Sequence, residues 1–232
     1  MTTIGGSAVT PARAGESAVL GAVIVALVPM GVLHVVGSTV VDPLNSPISD
    51  YVAVPGGYTL VGLSTLALAV AGLVLAAAIS AARLPGARTV GGLLTAWSVA
   101  LLVVAVFPTN HPGTPLDVAA WVHRVGGALV FALLPITLAV VAARARTAEH
   151  WAPAASGLRW GALLSGGGAV VFMVGQLPAG FGVAPILPAL GLTQRVLFAT
   201  AMVLLLLLAR AARVAADRGA IAAGGVEWGV RA

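Results

Sequence analysis

AVLGAVIVALVPMGVLHVVG, residues 18–37, decides the fold. It holds no Asp, Glu, Lys or Arg, and it is about as long as a helix must be to cross a bilayer, roughly 20 residues. A secretory signal would carry a shorter apolar core, about 7–15 residues. This run is longer and contains His34. Working outward, five more such runs follow, at about 58–80, 90–107, 119–142, 160–179 and 187–209. The chain is 59% hydrophobic and only 8% charged. A water-soluble domain carries about 25% charged residues, so lipid must cover most of this surface.

The arginines orient the spans. Arg13, Arg83, Arg88, Arg144, Arg146, Arg159, Arg210, Arg213, Arg218 and Arg231 all fall on one side, between or outside the apolar runs. Basic loops stay in the cytoplasm. The expectation is an all-α, polytopic bundle of six transmembrane helices, multi-pass in the cell membrane, with both termini cytoplasmic. A leader (1–15) and a tail (213–232) flank the membrane domain (16–212). The formal charge of +5 is therefore a topology signal, and no nucleic-acid partner is expected. Membrane lipids and an apolar or amphipathic small molecule are the expected partners. Nucleotide hydrolysis is excluded on the residues: there is no P-loop pattern and no Lys. Cys is absent, which excludes disulfides, thiolate metal sites and a covalently attached haem.

Between the first two spans lies STVVDPLNSPISDYVAVPG, residues 38–56. It holds Asp42, Asn45, Ser46, Ser49, Asp50 and Tyr51 and no basic residue. The run Asn45-Ser46-Pro47 reads as a helix start, with Ser46 as N-cap and Pro47 first in the helix. Asp50 then falls near the first turn, where the helix dipole favours its charge. Asp50 is a candidate general acid or base, with Asp42 and His123 assisting. Ser49 is a candidate nucleophile if a histidine lies within hydrogen-bond reach. A capped interfacial turn would explain the same residue types.

Two arginines break the topology pattern. Arg124 and Arg195 lie inside spans, near the outer ends, where a charge costs several kcal/mol without a partner or a cavity. They either face an outward cavity, where they pair with Asp42, Asp50 or Asp117 or hold an anionic head group, or snorkel to lipid phosphates. Tyr51, Asn45 and Gln176 are further candidate substrate contacts. Gln194 also maps to the outer half. His34 and His123, with Asp50, are candidate ligands for a divalent metal. A haem held by His34 and His123 is the weaker cofactor reading, since no HxxxH pair fixes two ligands on one helix face.

Arg88 and Arg124 are 36 residues apart, as are Arg159 and Arg195, which suggests a repeated pair of hairpins. Gly161, Ser165 and Ala169 share one face of the fifth span and would let a neighbour pack closely. Pro29 and Pro135 sit inside the first and fourth spans.

PISDY at 47–51, FPT at 107–109 and His123 at the start of the fourth span resemble the six-helix prokaryotic family called domain of unknown function 998. The resemblance runs from the first span to the sixth. It implies a six-helix membrane bundle with Ser49, Asp50, Phe107, Pro108 and His123 as signature positions, and it implies no reaction. Asn110 stands where members often have an acidic residue after FPT. Three functions remain in view. The first is an intramembrane enzyme acting by acid/base chemistry on a lipid, isoprenoid or other apolar substrate. The second is a small-molecule transporter or ligand-binding membrane protein, and the third is a structural or accessory subunit.

Overall fold

The computed structural model describes residues 11–111, 114–178 and 188–229. The uncharged loop 180–185 and Arg231 lie outside the described residues, as do residues 1–10 of the leader. Six helices carry the chain: α1 (Pro11–Val36), α2 (Gly57–Ala81), α3 (Ala87–Val106), α4 (Val118–Ala145), α5 (Ala152–Gln176) and α6 (Leu190–Gly229). All six are long and apolar enough to cross a membrane. Among the described residues there is no strand.

The spans sit where the apolar runs lie, with three differences. The fifth helix begins at Ala152, ahead of the expected 160, because Pro153 occupies its first turn, where no helix needs the missing N–H. The sixth continues through the expected tail to Gly229, since no Pro interrupts residues 213–229. At the same time α1 starts at Pro11, inside the expected leader.

Each helix packs against its neighbours in sequence, and α6 returns to α1 and also touches α2. Hydrophobic burial between helices is weak in lipid, so close approach and side chain-to-backbone hydrogen bonds hold the bundle. Ser64 donates to the Ala26 carbonyl at 2.8 Å, one turn before Pro29. Ser98 donates to the Ala69 carbonyl at 2.8 Å, and Trp97 Nε1 to the Val130 carbonyl at 3.0 Å. Trp151 Nε1 closes the opposite end on the Ala82 carbonyl at 3.0 Å. The small-residue face of α5 is used as expected: Ser165 and Ala169 are buried, and Cβ atoms on Gly161 and Gly168 would meet Leu204 and Leu197 of α6.

The alternating helices gather the arginines of the inter-helix turns at one end, called here the basic end. There Arg213 of α6 pairs with Glu16 of α1 and with Asp217, which also meets Arg13 at 3.5 Å. The other end, the loop end, carries residues 37–56, 107–111 and 114–117.

Candidate functional site

The segment after α1 folds back over the loop end and docks on the start of α6. Asp42 organises its beginning. Its carboxylate accepts from Leu44 N at 2.8 Å and from Asn45 Nδ2 at 2.7 Å. The Asn45 amide, and then the Leu44 N–H, hold the Asp42 carboxyl below its ordinary value. Asn45 Oδ1 accepts from Ala189 N at 3.2 Å, and the Leu44 carbonyl accepts from Leu192 N at 2.9 Å. These bonds satisfy N–H groups that a helix start leaves open. Gly191 lies directly under Ser46, so that a Cβ there would collide with the Ser46 backbone. Ala189, at φ 56°, takes the left-handed conformation that L residues avoid.

Residues 48–53 form a 3-10 helix (Ile48–Ala53). The helix start was expected here, yet Ser46 is not its cap. Pro47 takes that position in an extended conformation, with no side-chain capping bond. The Ser46 carbonyl is instead turned to Arg195. Asp50 falls in the first turn, as expected. Tyr51 is fully buried, wedged against Gly37, where a Cβ would sit 2.7 Å from its ring.

Arg195 is the knot of this cap. Its Nε donates to His34 Nε2 at 2.8 Å, its Nη1 to the carbonyls of Ser46 (2.8 Å) and Gly191 (3.0 Å), and its Nη2 to Tyr51 Oη at 3.4 Å. The guanidinium also lies 5.7 Å from the Tyr51 ring centre. The Met30 carbonyl can only accept, so His34 Nδ1 donates to it at 2.8 Å and Nε2 is left as the acceptor that Arg195 fills. Four of the five guanidinium N–H groups of Arg195 are thus taken by the protein. Its part-buried charge is balanced by carbonyls and an imidazole.

Beneath the cap lies a cavity of about 80 Å³. Five helices wall it, all but α5, and the cap closes one side through Ile48 and Ser49. Its body is apolar: Leu68, Leu101, Val130, Phe131, Phe198 and Met202 line it, with Gly127 leaving a dent in α4. Ser64 and Thr65 also line it, but their hydroxyls donate to nearby carbonyls. The polar groups near the cap are Ser49, His123 and Gln194. Gln194 is only 9% exposed, and its Oε1 accepts from Ile48 N at 2.6 Å. His123 Nδ1 lies 2.7 Å from the Phe107 carbonyl and donates to it. Two of the signature positions, in FPT and at His123, are therefore one hydrogen bond. A shift of 71 residues, which relates Arg124 to Arg195, also relates His123 to Gln194, Gly127 to Phe198 and Phe131 to Met202. All six of these face the cavity.

Asp50 stands half-buried beside this arrangement; its N–H donates to the Pro47 carbonyl at 3.0 Å, while its carboxyl has no hydrogen-bond partner among the described residues. Burial pushes its carboxyl up to about 6, against the opposing pull of Arg124 and Arg195. Arg124 is half-buried and has no hydrogen-bond or ion-pair partner among the described residues.

The other candidates are placed elsewhere. Asp42 is exposed and serves its own turn, away from Asp50's role. Gln176, at the end of α5, does not line the cavity. Gln194 does, and it was legible as the neighbour of Arg195 in the same way that His123 neighbours Arg124. Asp117 caps α4 through Ala120 N at 2.7 Å. Ser49 has no histidine within hydrogen-bond distance. Among the described residues no three of His, Asp and Glu come together as a metal group. The set His34, His123 and Asp50 therefore does not converge among the described residues, and His34 Nε2 accepts from Arg195.

Fold and site define a six-helix integral membrane protein whose first loop caps an apolar cavity at one end. The family model described as Protein of unknown function (DUF998) matches residues 19–211, and the chain belongs to that family. Searches of curated proteins and of solved structures each return no similar chain.

Proposed function

We propose that this protein takes an amphipathic molecule from the membrane, with the apolar part in the cavity and the polar end against Ser49, His123 and Gln194. The observation that carries the reading is the cavity itself: apolar in its body, polar beside the cap, and walled by five helices. Binding sites for small molecules have this composition. Its volume suits a cluster of waters or the end of a hydrocarbon chain, so the rest of the molecule lies toward the membrane. Leu27 supports a lateral route: it lines the cavity, belongs to the outward groove of α1 and is 47% exposed.

The test uses Gly127. Gly127 lines the cavity and nothing stands within 4 Å of a Cβ built there, so Gly127→Leu adds bulk at the cavity wall without a clash at its Cβ. Purified wild-type protein is expected to carry a co-purifying apolar molecule, detected by mass spectrometry of an organic extract, that Gly127→Leu loses. Equal extracts from both proteins would refute binding in the cavity.

The second reading is acid/base chemistry on the bound molecule. Asp50 favours it, since a carboxyl near 6 exchanges protons close to neutral pH. If the molecule is turned over, Asp50→Asn is expected to lower kcat at least about 100-fold. Full turnover by that variant would remove Asp50 from the chemistry.

A further inference from the structure

The donors and acceptors beside the cap define which polar end fits, an inference that rests on the cavity reading. The Ile48 N–H can be met only by an oxygen, so Gln194 presents Oε1 to it. Gln194 lines the cavity, and with Oε1 taken its amide Nε2 carries two N–H donors that remain to be matched. No partner among the described residues takes them. The Phe107 carbonyl likewise can only accept, so His123 carries its proton on Nδ1. Its neutral ring then offers Nε2 as an acceptor. Ser49, with no hydrogen-bond partner among the described residues, can give or take.

The rim is thus one donor group, one acceptor and one hydroxyl. A carboxylate or a phosphate dianion fits it poorly, having no hydrogen for His123 Nε2. No cation lines the cavity to balance an anion: Arg195 spends four of its five N–H groups on His34, Ser46, Gly191 and Tyr51, and Arg124 is not among the lining residues. An alkane leaves all three groups unpaired in an apolar site. A hydroxyl satisfies both sides, donating to His123 and accepting from Gln194.

We infer that the cavity selects a neutral, hydroxyl-terminated apolar molecule, a long-chain or isoprenoid alcohol, through Gln194 and His123.

The experiment compares four photoactivatable probes with one chain and different ends: the alcohol, its methyl ether, the carboxylic acid and the phosphate. Full-length protein in nanodiscs is crosslinked, and the cavity-specific signal is the part that Gly127→Leu removes. The alcohol is expected to bind about tenfold or more tightly than the ether, which can accept from Gln194 but cannot donate to His123. His123→Asn keeps an N–H for the Phe107 carbonyl and deletes the Nε2 acceptor. It is expected to bring alcohol and ether to parity while melting like the wild type. Gln194→Glu keeps an oxygen for Ile48 N and deletes the amine, and is expected to weaken alcohol and ether alike. Should His123→Asn fail to fold, the wild-type ranking and Gln194→Glu decide. Equal binding of alcohol and ether in the wild type, or a preference for acid or phosphate, overturns the alcohol inference and leaves the cavity reading standing. If Gly127→Leu removes no signal from any probe, both fall together.

Discussion

Asp50 is a carboxyl held half out of water on the first turn of the 3-10 helix, and burial raises it from 3.8 to about 6. Between those two values the folded protein holds a proton that the unfolded chain has released. Stability from this group is therefore full below about 3.8 and is lost as pH rises through about 6. The wild type is expected to melt higher at pH 5 than at pH 7 in detergent. Asp50→Asn should raise the melting temperature at pH 7 and flatten that dependence. An unchanged slope in the variant would show that another group titrates. Arg195 makes the opposite kind of contribution. Removing it strands the carbonyls of Ser46 and Gly191 and leaves His34 without its donor. Arg195→Ala is expected to cost about 2–4 kcal/mol, read from a thermal or denaturant melt. Arg195→Lys should recover little, because an ammonium cannot reproduce the planar fork.

At the scale of elements, the cap is held where backbones touch. A Cβ on Gly57 would collide with the Tyr51 carbonyl, and one on Gly191 with the Ser46 backbone. Neither neighbour is a flexible side-chain tip. Gly57→Ala and Gly191→Ala are expected to destabilise by about 1–3 kcal/mol through displacement of the cap. Gly21→Ala, in open space on α1, should be neutral or slightly stabilising. Protease protection of residues 38–56 would report the difference: cleavage should quicken in the first two variants and not in the third. Several of these contacts were readable and several were not. A helix start in residues 45–47, Asp50 in its first turn and the tight face of α5 follow from local residue order. Ser46 as a cap did not hold, because its carbonyl is claimed by an arginine far away in sequence. Nothing near residue 46 announces that partner.

For the molecule as a whole, the helices alternate, so the turns rich in Arg share the basic end with Arg13, Glu16, Arg213 and Asp217. These pairs are partly exposed and worth little each, about 0–1 kcal/mol. Their distribution matters more, as it predicts which end faces the cytoplasm. The chain has no Cys, so single cysteines can map it. Thr114→Cys at the loop end is expected to react with an impermeant maleimide on intact cells. Glu149→Cys at the basic end should react only after lysis. The reverse pattern would invert the proposed orientation.

Residue order alone determined six membrane helices, the break between the first two, and the shortlist of polar residues at one end. Apolar length and charge distribution are local properties, and a bilayer imposes them run by run. Only the tertiary structure decided which of those residues meet. His34 and Arg195 are 161 positions apart, and Ile48 and Gln194 are 146 apart. The helices are apolar on nearly every side, so no amphipathic stripe reveals how each is rotated. Rotation set Gln194 and not Gln176 on the cavity and bound Arg195 into the cap. Packing of small residues and carbonyl contacts between helices fixes that rotation, and those are relations that exist only once the bundle is assembled.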